Sequence, residues 1–207
     1  MIDLLLFDLG GVVIDIDFER IFKKWSHYSG LLVPEIKAGF SVDAVFEQHE
    51  RGQIDSIGYY HYLCESIGME MSFEQFSEGW NDIMVAPIDP TVNLLKHLSA
   101  QIPLYALSNA NPLHKAYWEN IYVDELGYFR RIFVSSDIGH RKPEPDAYLQ
   151  VAEELDVDLQ NIVFFDDLAD NVEGARNLGM QAVQVKSPAD IESFIASTHL
   201  ETKLVRC

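Results

Sequence analysis

Cationic side chains are scarce in this chain: 15 lysines and arginines stand against 33 aspartates and glutamates among 207 residues, a formal net charge of −18. Such a surface repels a phosphate backbone unless the few cations gather on one face, so nucleic acid is not expected as a partner. Cysteine is almost absent. Cys64 and Cys207 make no disulfide framework, and their types and spacing suggest no zinc site. No apolar run approaches a bilayer span, so no membrane is expected as a partner. The first residues carry no basic segment, and Asp3 and Asp8 interrupt the apolar start. A secretory signal is therefore not expected, and the chain reads as cytoplasmic. Repeats and low-complexity tracts are lacking too.

What is present is enough apolar material for a full core, 48% of residues with 12% aromatic. That amount suggests one domain, with room for an inserted subdomain. Strand-length apolar runs fall at residues 2–7, 104–107, 132–134, 162–165 and 182–185, with helical patterns between the later ones. Near-continuous apolar strands are expected in a sheet buried on both faces, hence parallel and flanked by helices. The helical stretches are 90–98, 112–121, 145–155, 171–178 and 189–195, and the first three open with proline, which a first helical turn tolerates. This pattern predicts a doubly wound, Rossmann-like α/β core.

Residues 17–84 break the rhythm, with helical segments at 18–28, 34–40, 42–48, 56–67 and 72–84 and no convincing strand. Ser72 and Gln75 form a capping-box pattern at the last of these. The block reads as an α-helical cap inserted between the first and second core strands. The expected division is 1–16 and 86–207 for the core and 17–85 for the cap. The cap's aromatics, among them Trp25, Tyr59 and Trp80, read as its own small core, since aromatic side chains dominate burial.

In open α/β sheets, ligands bind beyond the carboxyl ends of the strands. There the sequence places Asp8, then Ser108-Asn109, then Asp166-Asp167, with Lys142 just before a helix start. Three carboxylates, a hydroxyl and a lysine suit a magnesium-dependent reaction at phosphorus, because Mg²⁺ takes one or two carboxylates together with water and phosphate oxygens.

The segments "FDLGGVV", "LSNAN", "RKPEPDAY" and "FFDDLADNVEGARNLG" resemble the four ordered motifs of the haloacid dehalogenase superfamily of phosphatases and dehalogenases. The resemblance spans nearly the whole chain, and the helical block sits where that superfamily carries one type of cap. "FDLGGVVIDIDFERIFKKWS", "HERGQI" and "SEGW" are similar, more closely, to the bacterial α-D-glucose-1-phosphatase group. The phosphatase domains of bifunctional epoxide hydrolases are a more distant match.

The resemblance implies that Asp8 is a covalent nucleophile, that Ser108, Asn109 and Lys142 bind the phosphoryl group, and that Asp8, the main-chain carbonyl of Gly10, Asp166 and Asp167 hold Mg²⁺. Asn171 is expected to orient this cluster, and Arg51, in "HER", is the cap residue expected to face substrate. The substrate class implied is a small phosphorylated metabolite, most of all a sugar phosphate such as glucose 1-phosphate, handled by a monomer or dimer.

One position departs from the pattern. Superfamily phosphatases usually carry a second aspartate two residues after the nucleophile as general acid, a role worth about 10²–10⁴-fold, and here that residue is Gly10. A dehalogenase needs no such acid, but it uses no metal and gives Asp166-Asp167 no purpose. A non-catalytic binding protein of the same fold is the other alternative, against which the intact nucleophile, lysine and acidic pair argue. The reading favoured is a phosphatase that obtains its proton elsewhere, from His49, Asp15 or Asp17 in the first instance, or whose leaving group needs little help.

Overall fold

A computed structural model describes residues 1–198; Cys207 lies outside the described residues. The chain begins with β1 (Leu4–Phe7) and β2 (Ile14–Ile16), then runs through α1 (Phe18–Ser29), α2 (Val33–Gly39), α3 (Ala44–Glu50), α4 (Ser56–Ile67) and α5 (Phe73–Asn81). It returns through β3 (Met84–Pro87) and α6 (Asp89–Leu98) to β4 (Leu104–Ser108), α7 (Pro112–Ile121), α8 (Val123–Leu126), β5 (Arg131–Val134) and α9 (Ser135–Ile138). Then follow α10 (Pro145–Leu155), β6 (Ile162–Asp166), α11 (Ala169–Asn177), β7 (Gln181–Gln184) and α12 (Pro188–Ser197).

Five of the strands pair in parallel in the order β5-β4-β1-β6-β7. Alternate side chains of β1 serve two cores, as the strand period requires. Leu5 and Phe7 pack with Leu95, Ile191 and Ile195 of α6 and α12 on one face, and Leu4 and Leu6 with Tyr148, Val151 and Val172 of α10 and α11 on the other. Both faces are covered, so the strands read as unbroken apolar runs. Chain order reverses at β1, which lies between β4 and β6. The carboxyl ends of these three adjacent strands therefore open into the crevice of a doubly wound sheet.

Helices α1–α5 form the inserted cap. Trp25 stacks against both Phe76 and Trp80, with ring centroids 5.0 and 5.4 Å away, and its indole N–H donates to the Phe76 carbonyl at 3.1 Å. Of the aromatics expected to make the cap's own core, Trp25, Tyr59 and Trp80 are each at most 1% exposed and Tyr60 and Tyr62 are partly buried, and all pack into one apolar cluster with Leu5 and Phe7 of β1. Ser72 and Gln75 form the expected capping box. No helix among the described residues is long and apolar enough to cross a membrane.

Two differences from the sequence reading have physical causes. The last cap helix was expected to run to residue 84 but ends at Asn81, and Met84–Pro87 pairs antiparallel with Ile14–Ile16. A three-residue strand whose partner lies some seventy positions away leaves no local periodicity to find. The third cap helix begins at Ala44, two residues late, because the Asp43 carboxylate accepts the Val45 and Phe46 amides as an N-cap.

The cap meets the core through polar contacts as well as apolar ones. Arg141, between α9 and α10, donates to Glu50 at 2.8 Å and to Glu47 at 3.1 Å, and Arg51 bonds Glu144 at 2.9 Å and Glu47 at 3.0 Å. Two histidines lie near this seam. His114 Nε2 donates to the Trp80 carbonyl at 3.0 Å, while the Asn111 amide donates to His114 Nδ1 at 3.1 Å. This arrangement satisfies the neutral ring and has no place for a second N–H proton.

Burial pushes the His114 and His49 imidazoles down to about 4, and for His49 the nearby His114 adds to the effect while Asp55 opposes it. Below pH 6.5 the unfolded chain thus takes up protons that the folded one refuses, so the stability these rings contribute is complete above pH 6.5 and lost on the way down to about pH 4. Through these rings the urea midpoint is expected to fall across that window, each contributing up to about 1.4 kcal/mol per pH unit, while the buried Asp8 carboxyl, lifted to about 7, acts in the opposite sense. His49→Gln should flatten the fall relative to the parent; parallel pH profiles for the two proteins would count against this assignment.

Candidate active site

Asp8 follows β1 directly, Ser108 ends β4 and Asp166 ends β6. All three are buried, at 8%, 4% and 0% exposure. Adjacent parallel strands in register deliver them side by side. Lys142 reaches the same place from the loop before α10. Only 1% exposed, it sets its Nζ 2.8 Å from Asp8 Oδ1 and 2.7 Å from Asp166 Oδ2, above the Phe164 ring.

Asn109 explains how the lysine is held. Its amide nitrogen donates to the Lys142 carbonyl and its amide oxygen accepts the Lys142 N–H, both at 2.8 Å. Sequence reading assigned Asn109 to the phosphoryl group. The structure engages both ends of its side-chain amide with the Lys142 main chain, at the wall of the crevice.

The acidic pair divides in a similar way. Asp166 accepts from Lys142, from the Leu168 amide at 2.9 Å and from the Asn171 amide at 3.0 and 3.1 Å, which occupies both of its oxygens. Asn171, expected to orient the cluster, therefore acts on Asp166. Asp167 stands close to Gly11, whose φ is +74°; a Cβ at Gly11 would lie 2.6 Å from Asp167 Oδ2. That close approach, in a left-handed backbone, requires glycine. Gly10 is different: its φ is outside that region, and a Cβ there meets only the flexible end of Ile16 at 3.3 Å.

Asp8 Oδ1 accepts from the Leu9 amide at 2.7 Å as well as from Lys142, while Oδ2 accepts no hydrogen bond among the described residues. Burial lifts the Asp8 carboxyl to about 7; Lys142 opposes this, and Asp166 and Asp167 add to it. Asp167 is likewise raised, by burial and then by Asp166. For Lys142 burial works downward, but Asp166 and Asp8 outweigh it and hold the ammonium above its ordinary value.

Asp8, Asp166 and Asp167 each offer an oxygen within 4.8 Å of the others. One ammonium against three carboxylates leaves two negative charges in a buried site, and the donors are all hard oxygens. Charge and donor type both fit a divalent cation such as Mg²⁺.

Asp8 and Asp167 line one cavity of about 440 Å³ between cap and core, together with Gly10, Ser108, Asn109, Lys142 and Asn171, while the fully buried Asp166 is not part of its wall. Arg51 is not among its lining residues; its guanidinium ties the cap to Glu144. His49 is turned to Ser56, Asp17 caps α1, and neither these two nor Asp15 lines the cavity. The charged cap–core pair that does line it, Glu50 and Arg141, escaped sequence reading. Arg141 immediately precedes Lys142 and Glu50 lies inside "HER", so both were in motifs already singled out.

Residues 2–179 match the family described as haloacid dehalogenase-like hydrolase. The chain belongs to this family. Among curated relatives of this haloacid dehalogenase-like hydrolase are a D-ribitol-5-phosphate phosphatase of Bacteroides thetaiotaomicron, 24% identical over 92% of this chain and 95% of that one, and a sesquiterpene phosphatase of Aspergillus oryzae, 28% identical over 84% and 85%. Among solved structures, a Bacteroides thetaiotaomicron enzyme of the same family, in complex with magnesium and inorganic phosphate, superposes with a TM-score of 0.79. It is 30% identical, over 90% of this chain and 95% of that one. An L-2-haloacid dehalogenase of Xanthobacter autotrophicus shares the fold, with a TM-score of 0.66 at 20% identity over 97% and 84%. The resemblance to this superfamily stated from the motifs is thus shown, and phosphatases among the relatives support a phosphoric monoester hydrolase.

The two acidic neighbours should separate experimentally. Asp166→Ala removes one of the two carboxylates that hold the buried Lys142 ammonium, leaving Asp8 as its partner, and is expected to cost about 1.5–3 kcal/mol with or without a divalent cation. Asp167→Ala should leave the metal-free protein as stable as the parent or more so, by relieving like-charge repulsion, and should remove most of the stabilisation that Mg²⁺ gives the parent. Thermal midpoints of the three proteins, with and without Mg²⁺, measure both; an Asp167→Ala variant with the full Mg²⁺ shift would contradict the division.

Proposed function

We propose that the chain is a Mg²⁺-dependent phosphatase of small phosphate monoesters that works through a phosphoryl group carried on Asp8. The observation supporting this most directly is the Asp8 carboxylate, fixed through one oxygen by Leu9 and Lys142 and with its other oxygen unpaired among the described residues. A nucleophile needs such an unpaired oxygen. Asp8 attacks phosphorus in line, the bond from phosphorus to the alcohol oxygen breaks, and the departing alkoxide takes its proton from water. Water then attacks the aspartyl-phosphate, releasing inorganic phosphate and restoring the carboxylate.

Lys142 balances the negative charge of nucleophile and phosphoryl group, and Ser108 hydrogen-bonds the transferring oxygens. Asp167, Asp8 and the Gly10 carbonyl would hold Mg²⁺, with Asp166 behind them fixing Lys142. Bound there, Mg²⁺ would neutralise and orient the phosphate oxygens. A dehalogenase is disfavoured by the acidic surplus that a cation must balance.

Two classes of alcohol are in question: the sugar class, with glucose 1-phosphate as the example taken from the sequence, has the ribitol-phosphate relative on its side. The sesquiterpene phosphatase offers a contrasting alcohol. Cap residues 17–85 and core residues 1–16 and 86–207 are the division we propose, with the ester held between the two.

Asp8→Asn is expected to fold as the parent does and to lose more than about a thousandfold in kcat. A variant retaining a substantial fraction of the parent rate on phenyl phosphate with Mg²⁺ would refute the nucleophile.

Gly10 leaves the departing oxygen without the usual acid. The rate should therefore rise steeply with leaving-group acidity, and a hexose 1-phosphate should outrun its 6-phosphate because the anomeric hydroxyl is the more acidic. Since the backbone at Gly10 accepts a side chain, Gly10→Asp is expected to speed the poorest leaving groups by about tenfold or more and flatten that dependence. An already flat dependence in the parent, with chemistry rate-limiting, would mean another group supplies the proton.

A further inference from the structure

We propose that the substrate's alcohol is apolar: a phosphate monoester of an alkyl, isoprenoid or aryl alcohol rather than of a polyol. This rests on the phosphatase reading and concerns the rest of the same cavity. Beyond the groups assigned to the phosphoryl chemistry, its wall is built of side chains such as Ile14, Ile16, Phe46, Met84 and Trp118.

Most of the polar side chains in that wall are already engaged, and the buried Trp80 indole N–H is a donor there without a partner among the described residues. Glu50 and Arg141 pair with each other at 2.8 Å. Asn111 donates to His114 and accepts the Leu113 and His114 amides, and His114 donates to the Trp80 carbonyl. A polyol would bury its hydroxyls there with few partners to replace water, at about tenfold or more in affinity for each hydroxyl left unpaired. A hydrocarbon chain or ring loses nothing polar on entry and gains contact throughout, and the cavity's size suits a small organic ligand.

The surface gives an independent observation. Phe18, Val42 and Leu168 line the cavity yet remain 38%, 58% and 56% exposed. They come from the start of α1, the loop before α3 and the loop after β6, three separate segments that converge on one opening. On a chain this acidic, apolar side chains gathered at the mouth of a cavity mark a site of contact with apolar matter.

The test compares kcat/KM, with Mg²⁺, for n-hexyl phosphate and ribitol 5-phosphate. Both are primary alkyl esters with similar chemistry at phosphorus, so the ratio reports the wall, and phenyl phosphate serves as the control for turnover. The expected ratio is about a hundredfold or more in favour of the hexyl ester. Val42→Asn, at a position exposed enough to spare the fold, should lower the ratio by about three- to tenfold. Turnover of phenyl phosphate with ribitol 5-phosphate equal to or better than the hexyl ester would overturn this inference alone, as would an unchanged ratio in the variant. No Mg²⁺-dependent turnover of any of the three would overturn the phosphatase reading and this inference with it.

Discussion

The ammonium of Lys142 lies 2.8 Å from Asp8 and 2.7 Å from Asp166, with almost no solvent contact, and the arrangement of the crevice follows from it. A buried ion pair stabilises only when its remaining hydrogen-bonding capacity is met. Here Asn109 fixes the lysine's main chain, Asn171 and the Leu168 amide complete Asp166, and Leu9 completes one oxygen of Asp8. One oxygen of Asp8 is left for chemistry, and Asp167 supplies the charge that a divalent cation would balance. On a molecule of net charge −18, an anionic substrate needs this local balance, since the surface at large repels it.

Most of the core was legible because a sheet covered on both faces writes its strands as unbroken apolar runs, and because a doubly wound sheet puts strand-end residues in the crevice. Asp8, Ser108, Asp166 and Lys142 could thus be placed together from their positions in the pattern. What each side chain touches could not be read in that way. Asn109 and Arg51 stood in the right segments, but one faces the Lys142 main chain and the other Glu144. Such choices depend on contacts across 33 and 93 positions of sequence, and no local signal encodes them. The same reason hid the β2–β3 ribbon and the pairing of Glu50 with Arg141.

On the proposed reading, the cap supplies what the shared crevice lacks, which is discrimination among alcohols. Its aromatics stack in a buried cluster, and its contacts with the core combine apolar packing with ion pairs and a histidine held neutral. Apolar residues from both parts complete the wall beside the carboxylates. On this account the phosphoryl chemistry belongs to the sheet ends and the choice of ester to the wall, so changes in one need not disturb the other.

The central claim is that phosphorus is transferred to Asp8 before it reaches water. Acid-quenching a single turnover of phenyl phosphate in the presence of Mg²⁺, followed by peptide mass analysis, tests it directly. The account predicts a phosphorylated peptide containing Asp8 that rises and decays at least as fast as phosphate appears. Phosphate released at the normal rate with the label on another residue, or on none, would contradict it.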